Sequence, residues 1–222
     1  TDLPKQSAEV ASMFNIVDSF DTHAKVPEHF ASLEEAAEKA EGVDQLDAIL
    51  ISSNSRPLPA GEAYEKVKSA TAALKRMGVK YFSKRIDTTL RGGVGVEIDA
   101  MMDEVGDDCV AVVVPAMPQS RRILVGGYSV IDGVPLINTP VAQDVRTPVK
   151  ENYIPRLLAG QTRREVRLVE LDEVLKGEES IRKQLKAARD DGGEVIVVDA
   201  VAIEDVEEIA KACISLQWNV IA

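Results

Sequence analysis

The sequence has few of the residues on which many metal, nucleophile and disulfide sites depend. Among its 222 residues are two cysteines and two histidines. Cys109 and Cys213 lie far apart in apolar runs, which predicts small buried thiols in a reducing compartment rather than a disulfide or a metal pair. His23 and His29 lie in a polar stretch without a nearby cysteine, so neither a zinc site nor a Ser-His-Asp triad is expected.

Long apolar runs and net positive charge are also missing. No stretch reaches the length that a membrane-spanning helix needs, and the first residues, TDLPKQSAEV, lack the apolar core of a signal peptide. The formal net charge of -11 disfavours binding to nucleic acid or to an anionic membrane, because both surfaces repel a protein of the same sign. We therefore expect a cytoplasmic protein in which any anionic ligand binds at a local cluster of cations.

Short apolar runs alternate with amphipathic helical patterns along most of the chain. Because most of these runs are uniformly apolar, they are typical of parallel strands covered by helices. The fold class is therefore predicted to be α/β, with a mostly parallel sheet flanked by helices on both faces. Strands are predicted at 47–52, 79–83, 109–114, 166–170, 194–199 and 218–222, and helices are predicted to begin near residues 31, 59, 95, 178 and 203.

The helical pattern is interrupted between about residues 115 and 150, where prolines and glycines are frequent. The segment YSVIDGVPLI predicts a β-hairpin that turns at Asp132 and Gly133. Long insertions without helices are often functional in compact domains. In the helix before this insertion, the acidic residues are predicted to form a solvent-exposed face without a catalytic role; they are Glu97, Asp99, Asp103 and Glu104.

Three of the predicted strands are followed by polar, basic loops. The carboxyl ends of parallel strands meet at one edge of a sheet, and ligands bind there. Arginine binds a carboxylate or phosphate through two hydrogen bonds, and Asp87 can accept a hydrogen bond or a proton from a ligand hydroxyl. The loops therefore predict a pocket for a small polyhydroxylated anion. They are SNSRPLP at 53–59, KRIDTTLRGG at 84–93 and PAMPQSRR at 115–122.

The second loop, KRIDTTLRGG, has two other interpretations. Arg85 and Arg91 could simply pair with Glu97 and Asp99 of the next helix, with the glycines serving as turn residues. The sequence GGVGVE could also suggest a dinucleotide site and an NAD-dependent oxidoreductase, but it lacks the G-x-G-x-x-G spacing. No G-x-x-x-x-G-K-[ST] phosphate-binding loop occurs in the sequence.

The stretch KRIDTTLRG, residues 84–92, resembles the K-K-I-D-S-T-L-R-G signature of the four-carbon acid sugar kinases. Four other segments resemble motifs of this family in the same order and spacing. A collinear series of motifs is far more specific than any one of them. The segments are SNSRPL (the strand-end S-R element), VPAMP (A-P-A-F-P), VGGYSVIDGVPLINT (G-G-Y-x-x-x-N-G-V-P-L-x-x-T) and DVRTPV (D-P-x-T-P-V).

The resemblance implies that residues 1–222 form the N-terminal, substrate-binding domain of an ATP-dependent kinase. Its substrate would be a sugar acid of the threonate, erythronate or 3-oxo-tetronate type. The C-terminal domain that binds the nucleotide, ATP with Mg²⁺, would be absent from this chain, so the isolated domain is expected to be inactive. The family's opening motif, A-D-D-L-T-G, would survive only as Asp2-Leu3, through either trimming or divergence.

The matched motifs also imply which residues form the site. Our hypothesis is that Arg56, Lys84 and Arg91 neutralise the ligand carboxylate and then the transferred phosphoryl group. Asp87 is the candidate catalytic residue, which would orient or deprotonate the attacking hydroxyl. The full set of implied substrate-binding residues is Ser55, Arg56, Lys84, Asp87, Thr88, Arg91 and Gly92.

A second function class remains open beside the kinase. The chain could be a non-catalytic module that binds a small organic anion, because the same loops suit binding without chemistry. In either case the expected partner is a small molecule, and the proline-rich hairpin insertion is a plausible contact surface for a homo-oligomer.

Overall fold

The computed structural model of the protein describes residues 48–222. The predicted helix near residue 31, the two histidines and the Asp2-Leu3 opening lie outside the described residues. Among the helices of the described part of the chain, none is both long and apolar enough to cross a membrane.

The central sheet consists of four parallel strands in the order β5-β6-β1-β7. The register pairs Val112 of the first strand with Ile196 and pairs Val110 with Val220. Short, mostly apolar runs predicted all four strands to within one residue at each end. They are β1 (Cys109–Val113), β5 (Val166–Val169), β6 (Val195–Val198) and β7 (Asn219–Ile221).

Helices cover both faces of this sheet, which confirms the predicted α/β class. Alternate side chains of β1 point to opposite faces, as the geometry of a strand requires. Cys109, Ala111 and Val113 pack in one core and Val110 and Val112 in the other. The helices are α1 (Ala60–Arg76), α2 (Val94–Val105), α3 (Ile154–Ala159), α4 (Leu171–Val174), α5 (Glu178–Asp190) and α6 (Ile203–Leu216).

Two predicted strands do not form as expected. Residues 48–52 have no strand partner within the described part of the chain, and the segment 79–83 pairs only through a single parallel bridge between Phe82 and Ile221. Apolar composition alone does not create a strand, because a strand also needs a neighbour whose backbone groups complete the ladder. The short helices α3 and α4 were not predicted, since neither is long enough to show helical periodicity.

The insertion forms a small antiparallel sheet, which confirms the predicted hairpin. Its strands are β2 (Arg122–Val125), β3 (Tyr128–Ile131) and β4 (Val134–Pro135), and the β3–β4 turn contains Asp132 and Gly133. Asp199, at the end of β6, fixes this sheet to the central one. Its buried carboxylate accepts hydrogen bonds from the backbone N–H groups of Gly126, Gly127 and Leu171, at 2.6, 2.9 and 3.0 Å.

The cysteines are free thiols. Cys109 is buried, as predicted, and Cys213 is half-buried. Burial raises the pKa of the Cys213 thiol to about 11 and also raises the pKa of Cys109. Both groups therefore stay protonated at neutral pH, which makes them poor nucleophiles.

Candidate functional site

A cavity of about 720 Å³ lies where the three basic loops meet. Its wall contains six cationic side chains and three carboxylates, an excess of positive charge in a protein whose net charge is -11. Such a local excess is what the sequence predicts for an anion pocket on an acidic protein. The cations are Arg56, Lys84, Arg85, Arg91, Arg122 and Arg146, and the carboxylates are Asp87, Glu97 and Asp144.

Asp87 is held in one orientation by its own loop. Its Oδ1 atom accepts a hydrogen bond from the Thr89 backbone N–H at 3.1 Å, and Oδ2 accepts bonds from Thr89 Oγ1 at 2.7 Å and from Arg91 Nε at 2.5 Å. Burial by itself would raise the pKa of Asp87, but the hydrogen bonds from Thr89 and Arg91 lower it below its usual value. The carboxylate is therefore ionised at neutral pH and fixed in position.

Arg91 bridges this carboxylate to a second one. Its Nη1 atom lies 3.2 Å from Oδ2 of Asp144, which belongs to the DVRTPV segment. The other oxygen of Asp144 accepts the backbone N–H groups of Arg146 and Thr147 at 2.9 and 2.8 Å. These backbone bonds, together with Arg91, lower the pKa of Asp144 to about 2. The charge of Arg91 is thus already balanced by two carboxylates.

Lys84 forms an ion pair with Glu97 of α2, and both side chains are largely buried. Arg85 and Arg91 were considered as partners of Glu97 and Asp99, and this interpretation is wrong. Lys84 is the cation that pairs with Glu97, and Arg91 pairs with Asp87. The prediction that the acidic residues of α2 face solvent is also wrong for Glu97 and Asp99, which are 6% and 5% exposed. Helical periodicity could not reveal these pairs, because their cations come from other segments of the chain.

The loop that contains Ser55 and Arg56 packs directly on the glycine of the signature loop. Gly92 has a φ of +88°, and a Cβ atom at this position would lie 2.9 Å from Arg56 Cγ. Only glycine fits both the backbone conformation and the contact. Arg56 is exposed at the rim of the cavity, and its Nη1 atom lies 3.8 Å from Asp87 Oδ2. Ser55 is buried and shares a hydrogen bond of 2.9 Å with Ser53.

Thr88 connects the signature loop to the β-hairpin insertion. Its Oγ1 atom accepts a hydrogen bond of 2.5 Å from Nη1 of Arg122, the first residue of β2. Four residues that line the cavity were not among the substrate-binding residues predicted from the sequence. They are Arg122, Asp144, Arg146 and Thr147. The signal was available, because Arg122 ends the basic loop 115–122 and the other three lie in the matched DVRTPV segment.

Gln161 forms hydrogen bonds with the backbone at the N-terminal end of α2, next to the signature loop. Its Oε1 atom accepts the Gly95 backbone N–H at 2.9 Å, and its Nε2 atom donates to the Gly92 carbonyl at 3.2 Å. A Cβ atom on Gly95 would lie 2.7 Å from Gln161 Cβ, so the absence of a side chain permits this approach.

The residues that follow Gln161 form a second group of charges, which we call the ionic cluster. It joins α1 and α2 to the loop 162–164 and to the start of β6. Arg164 lies 3.4, 2.6 and 2.5 Å from carboxylate oxygens of Asp99, Asp103 and Glu194. The members of the cluster are Tyr64, Asp99, Asp103, Arg163, Arg164 and Glu194.

The chemistry of the cavity suits an anion better than a metal ion. Within residues 48–222, no three His, Cys, Asp or Glu side chains are grouped so that they could hold a metal. Two of the three carboxylates in the cavity wall are already held by internal cations or backbone N–H groups, and the third is paired with Lys84. We therefore assign no Mg²⁺ ligand to the described residues.

Comparison with known proteins is consistent with a small-molecule site. A family described as the sugar-binding N-terminal domain matches residues 8–221. The chain is 38% identical over 182 residues to D-erythronate kinase of Heliobacterium modesticaldum and 33% identical over 178 residues to D-threonate kinase of Bordetella bronchiseptica. These alignments cover 82% and 77% of this chain but 42% and 39% of the relatives. The chain thus spans about two fifths of the length of these curated relatives.

The fold is also shared with a solved structure. A protein from Bordetella bronchiseptica, described as a domain of unknown function with bound citrate and as a domain-swapped dimer, superposes with a TM-score of 0.71 at 31% identity. The match covers 83% of this chain and 44% of that one. Together these matches confirm the resemblance that the signature loop indicated. The chain belongs to the family of sugar-binding N-terminal domains.

Proposed function

We propose that this chain is the substrate-binding domain of an ATP-dependent kinase that phosphorylates a hydroxyl of a four-carbon sugar acid. The observation that supports this most strongly is the cavity itself, in which an ionised, oriented aspartate lies among more cations than carboxylates. The relatives named D-erythronate kinase and D-threonate kinase support the substrate class. Citrate in the solved relative supports binding of a small carboxylate, and its swapped dimer supports a homo-oligomer.

In this proposal Asp87 orients the attacking hydroxyl. A carboxylate has about four positions at which it accepts hydrogen bonds, and Thr89 and Arg91 fill three of them in Asp87. One position remains for a ligand hydroxyl. The lowered pKa makes Asp87 a weak base, but phosphoryl transfer through a loose transition state depends more on positioning than on early removal of the proton.

The other residues of the signature loop have supporting roles in this scheme. Arg91 fixes the orientation of Asp87, and Lys84 with Glu97 fixes the loop against α2. Arg56, at the exposed rim and 3.8 Å from Asp87, is placed to neutralise the incoming phosphoryl group. ATP supplies that group when it is bound, with Mg²⁺, by the C-terminal domain that we propose for the full-length protein.

The proposal is tested by an ATP-consumption assay of the full-length protein with D-erythronate, D-threonate and 3-oxo-tetronate. We expect turnover with at least one acid. Asp87→Asn should lower kcat by about 100-fold or more, because it removes the charge that orients the hydroxyl. The matched control is Asp132→Asn, which makes the same change at an exposed turn outside the cavity and should leave kcat unchanged.

The alternative is a non-catalytic module that binds a small organic anion. The internal donors that hold Asp87 and Asp144 favour this class, because they fix both carboxylates without any ligand. Binding of a tetronate without ATP consumption by the folded full-length protein would establish the alternative and contradict the kinase proposal. Equal kcat values for Asp87→Asn and the parent would contradict the role of Asp87 alone.

A further inference from the structure

The six cations of the cavity differ in whether they have a counter-ion within the protein. Lys84 is paired with Glu97, and Arg91 with Asp87 and Asp144. Arg56 lies at the edge of ion-pair distance from Asp87. Among residues 48–222, the remaining three have no carboxylate within 4.0 Å, and of these only Arg122 is half-buried, since the other two are exposed. The three are Arg85, Arg122 and Arg146.

We infer that the Arg122 guanidinium binds the carboxylate of the sugar acid, in place of the Arg91 guanidinium suggested by the motif alone. This inference rests on the proposed function. A partly desolvated cation without a counter-ion is costly, and a ligand carboxylate that pairs with it removes that cost. At Arg91 the same carboxylate would meet two negative neighbours, Asp87 and Asp144, that already occupy Nε and Nη1.

The backbone around Arg122 is fixed before any ligand binds. Met117 and Arg122 exchange two backbone hydrogen bonds, at 2.8 and 3.3 Å, and Arg122 also pairs with Ile131 across the β2–β3 ladder. Arg121 adopts the left-handed conformation that closes this loop, with φ of +54°. A binding side chain on such a rigid element loses little freedom when it engages a ligand.

The side chain keeps enough donors for a bidentate contact. Guanidinium has five N–H groups, and the acceptor found for it in the described part of the chain is Thr88 Oγ1. The Thr88 hydroxyl accepts from Arg122 and so is free to donate its own hydrogen to the ligand. Because Thr88 directly follows Asp87 in the loop, a ligand whose carboxylate is bound by Arg122 can extend its hydroxyls towards the group that we propose to orient one of them.

The test compares the binding of D-erythronate with that of erythritol, a four-carbon polyol without the carboxylate, by isothermal titration calorimetry of the 222-residue chain. In Arg122→Gln we expect the affinity for D-erythronate to fall about tenfold or more, with little change for erythritol. The control is Arg121→Gln, which removes the same charge one residue earlier from an exposed side chain paired with Asp132. It should change both affinities by less than about twofold.

The outcomes separate this inference from the proposed function. If the parent binds no tetronate, the proposed function fails and the inference fails with it. If the parent binds D-erythronate and Arg122→Gln binds it equally well, only the inference is overturned. An equal loss for acid and polyol would also overturn it, because it would show that Arg122 merely supports the loop through Thr88.

A second variant keeps the test decisive if Arg122→Gln does not fold. Arg122→Lys keeps the charge but cannot form the two parallel hydrogen bonds of a guanidinium. We expect it to lose several-fold in affinity for D-erythronate and nothing for erythritol. Affinity for the acid equal to that of the parent would overturn the bidentate contact.

Discussion

The cavity and the ionic cluster are both built against helix α2, and both combine arginines with aspartates. In the ionic cluster every cation has a carboxylate partner, and Arg164, whose side chain is 10% exposed, has three. In the cavity the half-buried Arg122 has none within the described part of the chain, and cations outnumber carboxylates by six to three. Similar residue types therefore form two different electrostatic environments against the same helix.

The balance of charges distinguishes a candidate binding region from a structural one in a charged protein. Ion pairs that satisfy each other contribute to the fold and leave nothing for a ligand to complete. A cation that is partly buried and unmatched is stabilised when an anion binds to it. Balance, rather than the number of charges, separates the two regions, and single substitutions or a change of pH can alter that balance in one region at a time.

The largest effect is expected from Arg164→Met, which breaks the balance of the ionic cluster. Methionine keeps much of the volume but leaves the buried Asp99 without its nearest guanidinium charge. Removing one partner of a buried ion pair costs about 3–5 kcal/mol, so the free energy of unfolding in urea should fall by that amount. In contrast, Arg122→Gln should lower it by about 1 kcal/mol at most, the value of its single hydrogen bond to Thr88. Comparable losses in the two variants would contradict the distinction between the regions.

Acid is expected to have a smaller effect on stability, through the same ionic cluster. Burial would raise the pKa of Asp103, but hydrogen bonds from Arg163, Tyr64 and Arg164 outweigh burial and lower it to about 2. A carboxyl whose pKa is lower in the folded state stabilises the protein fully above its unfolded value near 4 and loses this contribution as the pH falls towards 2. Stability should therefore decrease as the pH falls through this range.

Asp103→Asn isolates this contribution. Near pH 3 the parent should lose about 1 kcal/mol more per pH unit than the variant, because the unfolded parent takes up nearly one additional proton. Urea unfolding at several pH values between 4 and 2 measures both slopes. Asp144, whose pKa is also about 2, is present in both proteins and cancels from the difference. Identical slopes would show that the cluster does not hold Asp103 ionised.

The smallest effect is expected from Asp144→Asn, which increases the imbalance of the cavity. The asparagine oxygen can still accept the backbone N–H groups of Arg146 and Thr147, so the loop should keep its shape while Arg91 loses one counter-ion. With one fewer negative charge nearby, D-erythronate should bind about two- to fivefold more tightly at low salt. Asp132→Asn, with the same charge change at an exposed turn, is the control. Weaker or unchanged binding would contradict the electrostatic account.

The sequence predicted the sheet and the long helices because their signals are local. β1 and β6 are short apolar runs buried along their whole length, β5 and β7 are mostly apolar, and α1, α2, α5 and α6 show helical periodicity over more than ten residues. The segments at 48–52 and 79–83 have similar composition, but within residues 48–222 the first has no strand partner and the second has only the single bridge from Phe82 to Ile221. A single sequence records composition and cannot record which backbone lies alongside.

For the candidate site too, the sequence predicted the local features but not the long-range ones. The signature loop was identified from a contiguous run of residues, and Asp87, Thr88 and Arg91 do line one cavity. The partners of these residues come from distant segments: Arg122 is 34 positions from Thr88, and Asp144 is 53 positions from Arg91. Charge pairing across such separations depends on the three-dimensional fold, so the sequence showed which charges were present but not which of them cancel.

The contact between Gly95 and Gln161 has a mechanical consequence. Gln161 holds the signature loop through Gly92, and the residues that follow it supply both arginines of the ionic cluster. The loop 160–164 therefore links the cavity to the ionic cluster. A side chain as small as a methyl group at position 95 would push this link outward, and the displacement would be shared between the two regions. A single substitution at Gly95 would thus be expected to lower both the stability of the protein and its affinity for a ligand of the cavity.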